Sequence, residues 1–154
     1  MEATTETTTV ERELSIAATP ETVWEFLVDP EKAVRWMGTN ATLEPRPGGL
    51  YLCEVIPGHT AMGEFIEVDR PRRIVYTWGW EKSDQEGAIA PGSTRIEIEL
   101  VPEGDGTKLR FRHDLPTAAA AESHADGWDH YLGRLVIAAR GADPGEDPWL
   151  SGQM

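Results

Sequence analysis

The chain has 154 residues, 40% of them hydrophobic, enough to bury the core of one domain and with no sign of a second. Fourteen basic residues against 27 acidic ones leave a formal charge of −13, which repels nucleic-acid phosphates and anionic membrane surfaces. The single cysteine, Cys53, rules out an internal disulfide and a cysteine-built zinc site, and no apolar run reaches the ~20 residues that a spanning helix needs.

Residues 1–9, threonine and glutamate without apolar periodicity, read as a disordered tail. They lack the apolar core of a signal peptide, so a cytoplasmic location is expected. From Val10, VERELSIAA alternates as a first strand. TPETVWEFL then starts a helix with Thr19 as N-cap and Pro20 at the first helical position, its apolar stripe made by Val23, Phe26 and Leu27. Asp29 and Pro30 break it, and a second short helix, PEKAVRWM, runs to Gly38.

From Ala41 the pattern changes to strands between turn residues: ATLEP, LYLCEVI, MGEFIEV and RRIVYTWGWE, an antiparallel meander. The breaker-rich SDQEGAIAPG follows, placed to act as a lid or as an ordinary surface loop. STRIEIELV and TKLRFRHDL then close a hairpin around PEGDG. Pairing across that turn sets Leu100 against Leu109, Ile98 against Phe111, Glu99 against Arg110 and Glu97 against Arg112, like with like on one face and opposite charges on the other.

A last helix is expected from about Thr117 to Gly141, roughly 24 residues and about 36 Å long. At 3.6 residues per turn, His124, Trp128, Tyr131, Leu132, Leu135 and Ala139 share one face, with Glu122, Asp126, Asp129, Gly133 and Arg134 opposite. Gly127 borders the buried face, where a missing side chain lets a strand or ligand approach. Residues 142–154 read as an irregular tail from which Trp149 packs back on the domain.

One strand, two short helices, about six further strands and a long helix make an α+β domain of about six to seven antiparallel strands whose apolar face the last helix covers. The inward strand phases carry Tyr51, Cys53, Phe65, Tyr76, Trp78, Trp80, Ile98, Phe111 and His113, facing His124, Trp128 and Tyr131. Any one of these aromatics is ordinary core, but six tryptophans exceed what a small core packs easily, and as a group they read as pocket walls. A satisfied interior histidine is the plain account of His113 and of His124, and an acid–base pair the sharper one. His124 and His130 lie at the wrong helical phase to converge on a metal. Cys53 reads as a small buried hydrophobe and not a nucleophile. Glu67 shares the strand phase of Phe65 yet reads as a solvated strand-end carboxylate. No phosphate loop, dinucleotide fingerprint or serine-nucleophile motif is present.

WMGTNATLEPRPGGLYLCEV, IVYTWGWE, TRIEIELVPEGDGTKLRFRHDLP and ESHADGWDHYLGRL together resemble the activator of heat-shock protein 90 ATPase homologue-like family of the START-like, or SRPBCC, helix-grip superfamily. The most specific pieces are Arg35, Trp36 and Gly38, then Pro47, Gly48 and Gly49, then His124, Gly127, Trp128, Leu132 and Leu135. The resemblance covers about Val10 to Ala139 and implies a domain over 10–141. It implies a curved sheet gripping the C-terminal helix around a cavity for apolar small molecules, to whose lining Trp36 and Met37 are added. The expected function is binding of a hydrophobic or aromatic small molecule without a cofactor or metal. The alternatives are a co-chaperone-like contact in stress response and acid–base catalysis on a polyketide- or steroid-like ligand by His113, His124 or Tyr131. A homodimer stays open.

Overall fold

The structure, a computed structural model, describes residues 8–81 and 89–148. Ten elements follow in chain order: β1 (Thr9–Ile16), α1 (Pro20–Val28), α2 (Pro30–Ala33), β2 (Asn40–Leu43), β3 (Leu50–Ile56), β4 (His59–Asp69), β5 (Arg73–Trp78), β6 (Thr94–Glu103), β7 (Gly106–Asp114) and α3 (Ala118–Ala139). The strands form one antiparallel sheet in the order β1-β7-β6-β5-β4-β3-β2, so the meander from β2 to β7 is completed by the first strand lying beside the last. This is the α+β helix-grip architecture, with α3 laid over the sheet's apolar face.

Local chemistry accounts for the helix ends. Thr19 caps α1 by accepting from the Thr22 amide at 3.3 Å, and Thr117 caps α3 by accepting from the Ala120 amide at 3.0 Å. Asp29 closes α1 and opens α2, its carboxylate accepting from the Glu31 amide. On α3 the buried residues are Ala120, Ala121, Trp128, Tyr131, Leu132, Leu135, Ala138 and Ala139, the expected face, with His124 half-buried at its edge.

The hairpin register is the expected one: Leu100 faces Leu109, Ile98 faces Phe111, Glu99 faces Arg110 and Glu97 faces Arg112. Charge on the outer face then alternates strand by strand. Glu11 and Glu13 on β1 meet Lys108, Arg110 and Arg112 on β7, and Glu97 and Glu99 on β6 meet Arg73 on β5.

Three expectations are corrected. The second helix stops at Ala33, because the amides of Arg35 and Trp36 turn back to the carbonyls of Lys32 and Ala33, swinging Trp36 and Met37 into the core. Gly38 then takes φ +86°; a Cβ there would stand 2.5 Å from the Glu54 carbonyl oxygen, so only glycine lets the chain cross β3. Glu67 is the half-exposed carboxylate expected, although a bulge at Ile66, where the register shifts between Phe65 and Glu67, takes it out of the phase of Phe65; it meets Arg73 at 3.2 Å. Gly127 borders open space, with nothing within 4 Å of the position a Cβ would take, so no strand lies close against it. Arg134 does not face solvent. Its guanidinium donates to the carbonyls of Arg35, Trp36, Pro144 and Gly145, tying α3 to the turn after α2 and to the segment beyond the helix. His130 reinforces that segment by donating from Nε2 to buried Asp147 at 2.8 Å. Trp149, residues 1–7 and residues 82–88, which take in Ser83 to Ala88 of the expected lid, lie outside the described residues.

Candidate functional site

Strand register gathers the aromatic residues. Trp78 on β5 lies across from Thr94 on β6, while Ile96 and Ile98 on β6 lie across from His113 and Phe111 on β7. One turn apart on α3, His124 and Trp128 descend onto this row. The Trp128 ring lies 4.6 Å from Phe111, 5.1 Å from Trp78 and 6.0 Å from His113, centroid to centroid. Trp80, just past the end of β5, meets Trp78 edge-on at 5.5 Å and lies 6.2 Å from His124. Trp78 also joins a second group, in which Tyr51 stacks on Tyr76 at 4.3 Å and both approach Phe65.

Of the residues expected to line a cavity, Trp78, Trp80, Phe111, His113, His124 and Trp128 therefore converge at one end of the layer, and Tyr51, Phe65 and Tyr76 adjoin them. Ile98 lies buried in the same sheet face. Trp36 stands apart. Its indole donates to the Phe26 carbonyl at 2.8 Å, anchoring the helix pair. Cys53 turns its thiol to the Met37 carbonyl, and Tyr131 packs edge-on against His130. The convergent rings touch one another. Only Trp80 and His124 among the six are partly exposed.

Hydrogen bonds settle both imidazole tautomers, because an indole nitrogen can only donate. The Trp128 indole donates to His113 Nδ1 at 3.0 Å, so the ring proton sits on Nε2 and points to the Thr94 hydroxyl at 2.8 Å. That hydroxyl in turn donates to the Trp78 carbonyl at 2.6 Å. His124 is the mirror case: Nε2 accepts from the Trp80 indole at 3.3 Å and Nδ1 donates to the Ala120 carbonyl at 2.8 Å. Both rings are neutral, and both acceptor nitrogens are occupied. Burial, and secondarily His124 nearby, lowers His113 from 6.5 to about 3; burial lowers His124 as well, against the pull of the Ala120 carbonyl.

Burial also raises the phenols of Tyr51, Tyr76 and Tyr131, and lifts the Cys53 thiol to about 12, with Glu54 adding to the effect. Such a thiol is not a nucleophile at neutral pH. One polar atom of the cluster is left over: Trp78 Nε1 is buried with no hydrogen-bond partner among the described residues.

Thr94 escaped the sequence reading, although its phase with Ile96 and Ile98 placed it on the inward face. An open depression of about 460 Å³ lies instead on the other side of the sheet, among Glu11, Glu13, Arg73, Glu97, Glu99, Arg110 and Arg112. These side chains already pair with one another, which makes that depression a solvated ion-pair lattice. Among the described residues no group of three or more His, Cys, Asp or Glu is arranged to hold a metal, and no helix is long and apolar enough to cross a membrane.

The family model described as "Activator of Hsp90 ATPase homolog 1-like protein" matches residues 17–139, most of the chain and all of the elements from α1 to α3. The chain belongs to this family. An AHSA1-like protein of Rhizobium etli, solved by solution NMR, is 46% identical over 92% of this chain and 87% of its own, with a TM-score of 0.72. CalU16 from Micromonospora echinospora is 26% identical over 92% and 70% of the two chains, with a TM-score of 0.73. An HSP90 activator from Plasmodium falciparum shares the fold, with 20% identity over 86% and 96% of the chains and a TM-score of 0.70. No curated protein matches the chain. Within this AHSA1-like domain the aromatic end of the grip is where aromatic rings, neutral imidazoles and a half-exposed edge meet.

Proposed function

We propose that this AHSA1-like domain binds an apolar aromatic small molecule between the sheet and α3, where Trp78, Trp80, Phe111, His113, His124 and Trp128 converge. The observation that carries the reading is how this end of the layer is made: rings and uncharged imidazoles, reaching solvent through Trp80 and His124. Trp80 lies outside the regular strand, and its indole is tied down by one long bond to His124. Parting that pair exposes the cluster to solvent at its half-buried edge. An aromatic guest replaces ring–ring contacts with ring–guest contacts, at little loss of dispersion energy.

Calorimetric titration of the full chain with polycyclic aromatics, steroids and fatty acids tests this. Saturable binding of an aromatic probe, weakened by Trp80→Ala, is expected. Absence of saturable binding across the panel overturns the reading. A chaperone contact in stress response is the second reading and rests on the family's description; capture of a heat-shock 90-type ATPase by the immobilised protein, reversed by excess free protein, would favour it.

A further inference from the structure

The aromatic cluster leaves one indole donor without a partner among the described residues. Three indoles, Trp78, Trp80 and Trp128, bring three N–H donors to it. The two acceptor nitrogens of His113 and His124 take those of Trp128 and Trp80. Thr94 Oγ1 is engaged by His113 and by the Trp78 carbonyl. Trp78 Nε1 has nothing to donate to among the described residues, although its side chain is only 2% exposed and its ring touches Tyr51, Trp80, His113 and Trp128. A buried donor without a partner is desolvated for no return, and a guest that supplies an acceptor removes that penalty.

The surroundings also decide the guest's charge. Both imidazoles are buried and neutral, and their acceptor nitrogens are taken by the indoles that donate to them. Arg12, which stands across from Phe111 on β1, is taken by the Asp129 carboxylate at 2.6 and 3.2 Å. Among the described residues the cation–π contact present is Lys32 over Phe26, on the helix pair. A carboxylate buried here would have no countercharge, whereas a neutral carbonyl needs only the one donor that is waiting.

We propose that the ligand is a flat, uncharged aromatic compound bearing a carbonyl-type acceptor, and that Trp78 Nε1–H donates to that oxygen. This rests on the binding reading above and names the chemistry of its ligand. The sign of the effect is diagnostic, because a site without a free donor desolvates a carbonyl for no return and prefers the plain hydrocarbon.

Fluorene, 9-fluorenone and fluorene-9-carboxylate share one frame and separate these cases. Calorimetry on the full chain should show fluorenone binding at least about 10-fold tighter than fluorene, and the carboxylate weakest. In ¹H–¹⁵N spectra the Trp78 indole proton, assigned by its disappearance in Trp78→Phe, should move downfield with fluorenone and not with fluorene. Trp78→Phe should erase the fluorenone preference; if that variant does not fold, selective ¹⁵N-indole labelling with ring-proximity assignments serves the same comparison. Fluorene binding as tightly as fluorenone without a Trp78 shift, or the carboxylate binding tightest, overturns the acceptor proposal and leaves the binding reading standing. No binding by any of the three overturns this proposal, and the wider panel then decides whether the binding reading falls with it.

Discussion

His113 makes stability depend on pH in a direction that can be worked out in advance. The unfolded chain takes up a proton there near the ordinary value of 6.5, and the folded chain refuses it until about pH 3, because the ring is buried and its Nδ1 already accepts from Trp128. The unfolded state therefore binds more protons between those values, so stability is full above 6.5 and falls as the pH drops through that window. At ~1.4 kcal/mol per pH unit, the loss attributable to this one ring is about 2 kcal/mol between pH 8 and pH 5. Urea denaturation of the wild type and of His113→Gln at both pH values isolates it. Gln retains an acceptor for the Trp128 indole but does not titrate, and the remaining groups, carboxylates and His124 included, cancel in the difference. The wild type should lead the variant by about 2 kcal/mol less at pH 5 than at pH 8. A constant gap, or a His113 ring-proton signal that titrates near 6.5 in the folded protein, would refute the reasoning.

Further outcomes follow from the same structure. Thr94→Val removes the hydroxyl that links the His113 ring to the Trp78 carbonyl and should destabilise by about 1–3 kcal/mol in urea melts, since both partners stay buried. Gly133→Ala, on an exposed turn of α3 with nothing within 4 Å, should stabilise by about 1 kcal/mol; Gly38→Ala, at positive φ and against the Glu54 carbonyl, should cost more than that. Native Cys53 should resist thiol reagents at pH 8 and react at the rate of unfolding; stoichiometric labelling of the folded protein would contradict a thiol raised to about 12. Arg134→Met should speed hydrogen exchange at residues 142–148 while leaving the β6–β7 amides protected, because the guanidinium holds the carbonyls of Pro144 and Gly145.

The legible part of the fold was the part governed by strict periods. Ile96, Ile98 and Leu100 alternate with Glu97 and Glu99 so cleanly that one register satisfies both faces, and the structure adopts it. Where a period breaks, the sequence does not show the break. A bulge at Ile66 costs the strand one residue of phase, so alternation counted from Phe65 sends Glu67 to the wrong face. Arg134 falls on the polar side of a helical wheel, yet its partners are carbonyls 98 residues upstream and ten residues downstream, which no wheel contains. The inward set of aromatics was readable for the same reason as the hairpin. Whether those rings touch or stand apart was not, since phase fixes which side of a strand a ring occupies and says nothing of its rotamer.

The same limit applied to the histidines, whose hydrogen-bond partners phase does not reveal. Sequence phase brought His113 and His124 to one place, an arrangement that suits an acid–base pair as well as a polar lining. Their partners are indoles, which donate and never accept, so each ring presents its lone pair to a tryptophan and its proton to Thr94 or Ala120. A general base at neutral pH needs a free lone pair and an affinity for protons near 7. His113 has neither in this arrangement, being already occupied and lowered to about 3. The tryptophans consume the basicity of the site, and what they leave unsatisfied is a donor, Trp78 Nε1. Among the described residues the polar group of this cluster left to meet the proposed ligand is an N–H, which can donate to an oxygen and cannot take a proton from it.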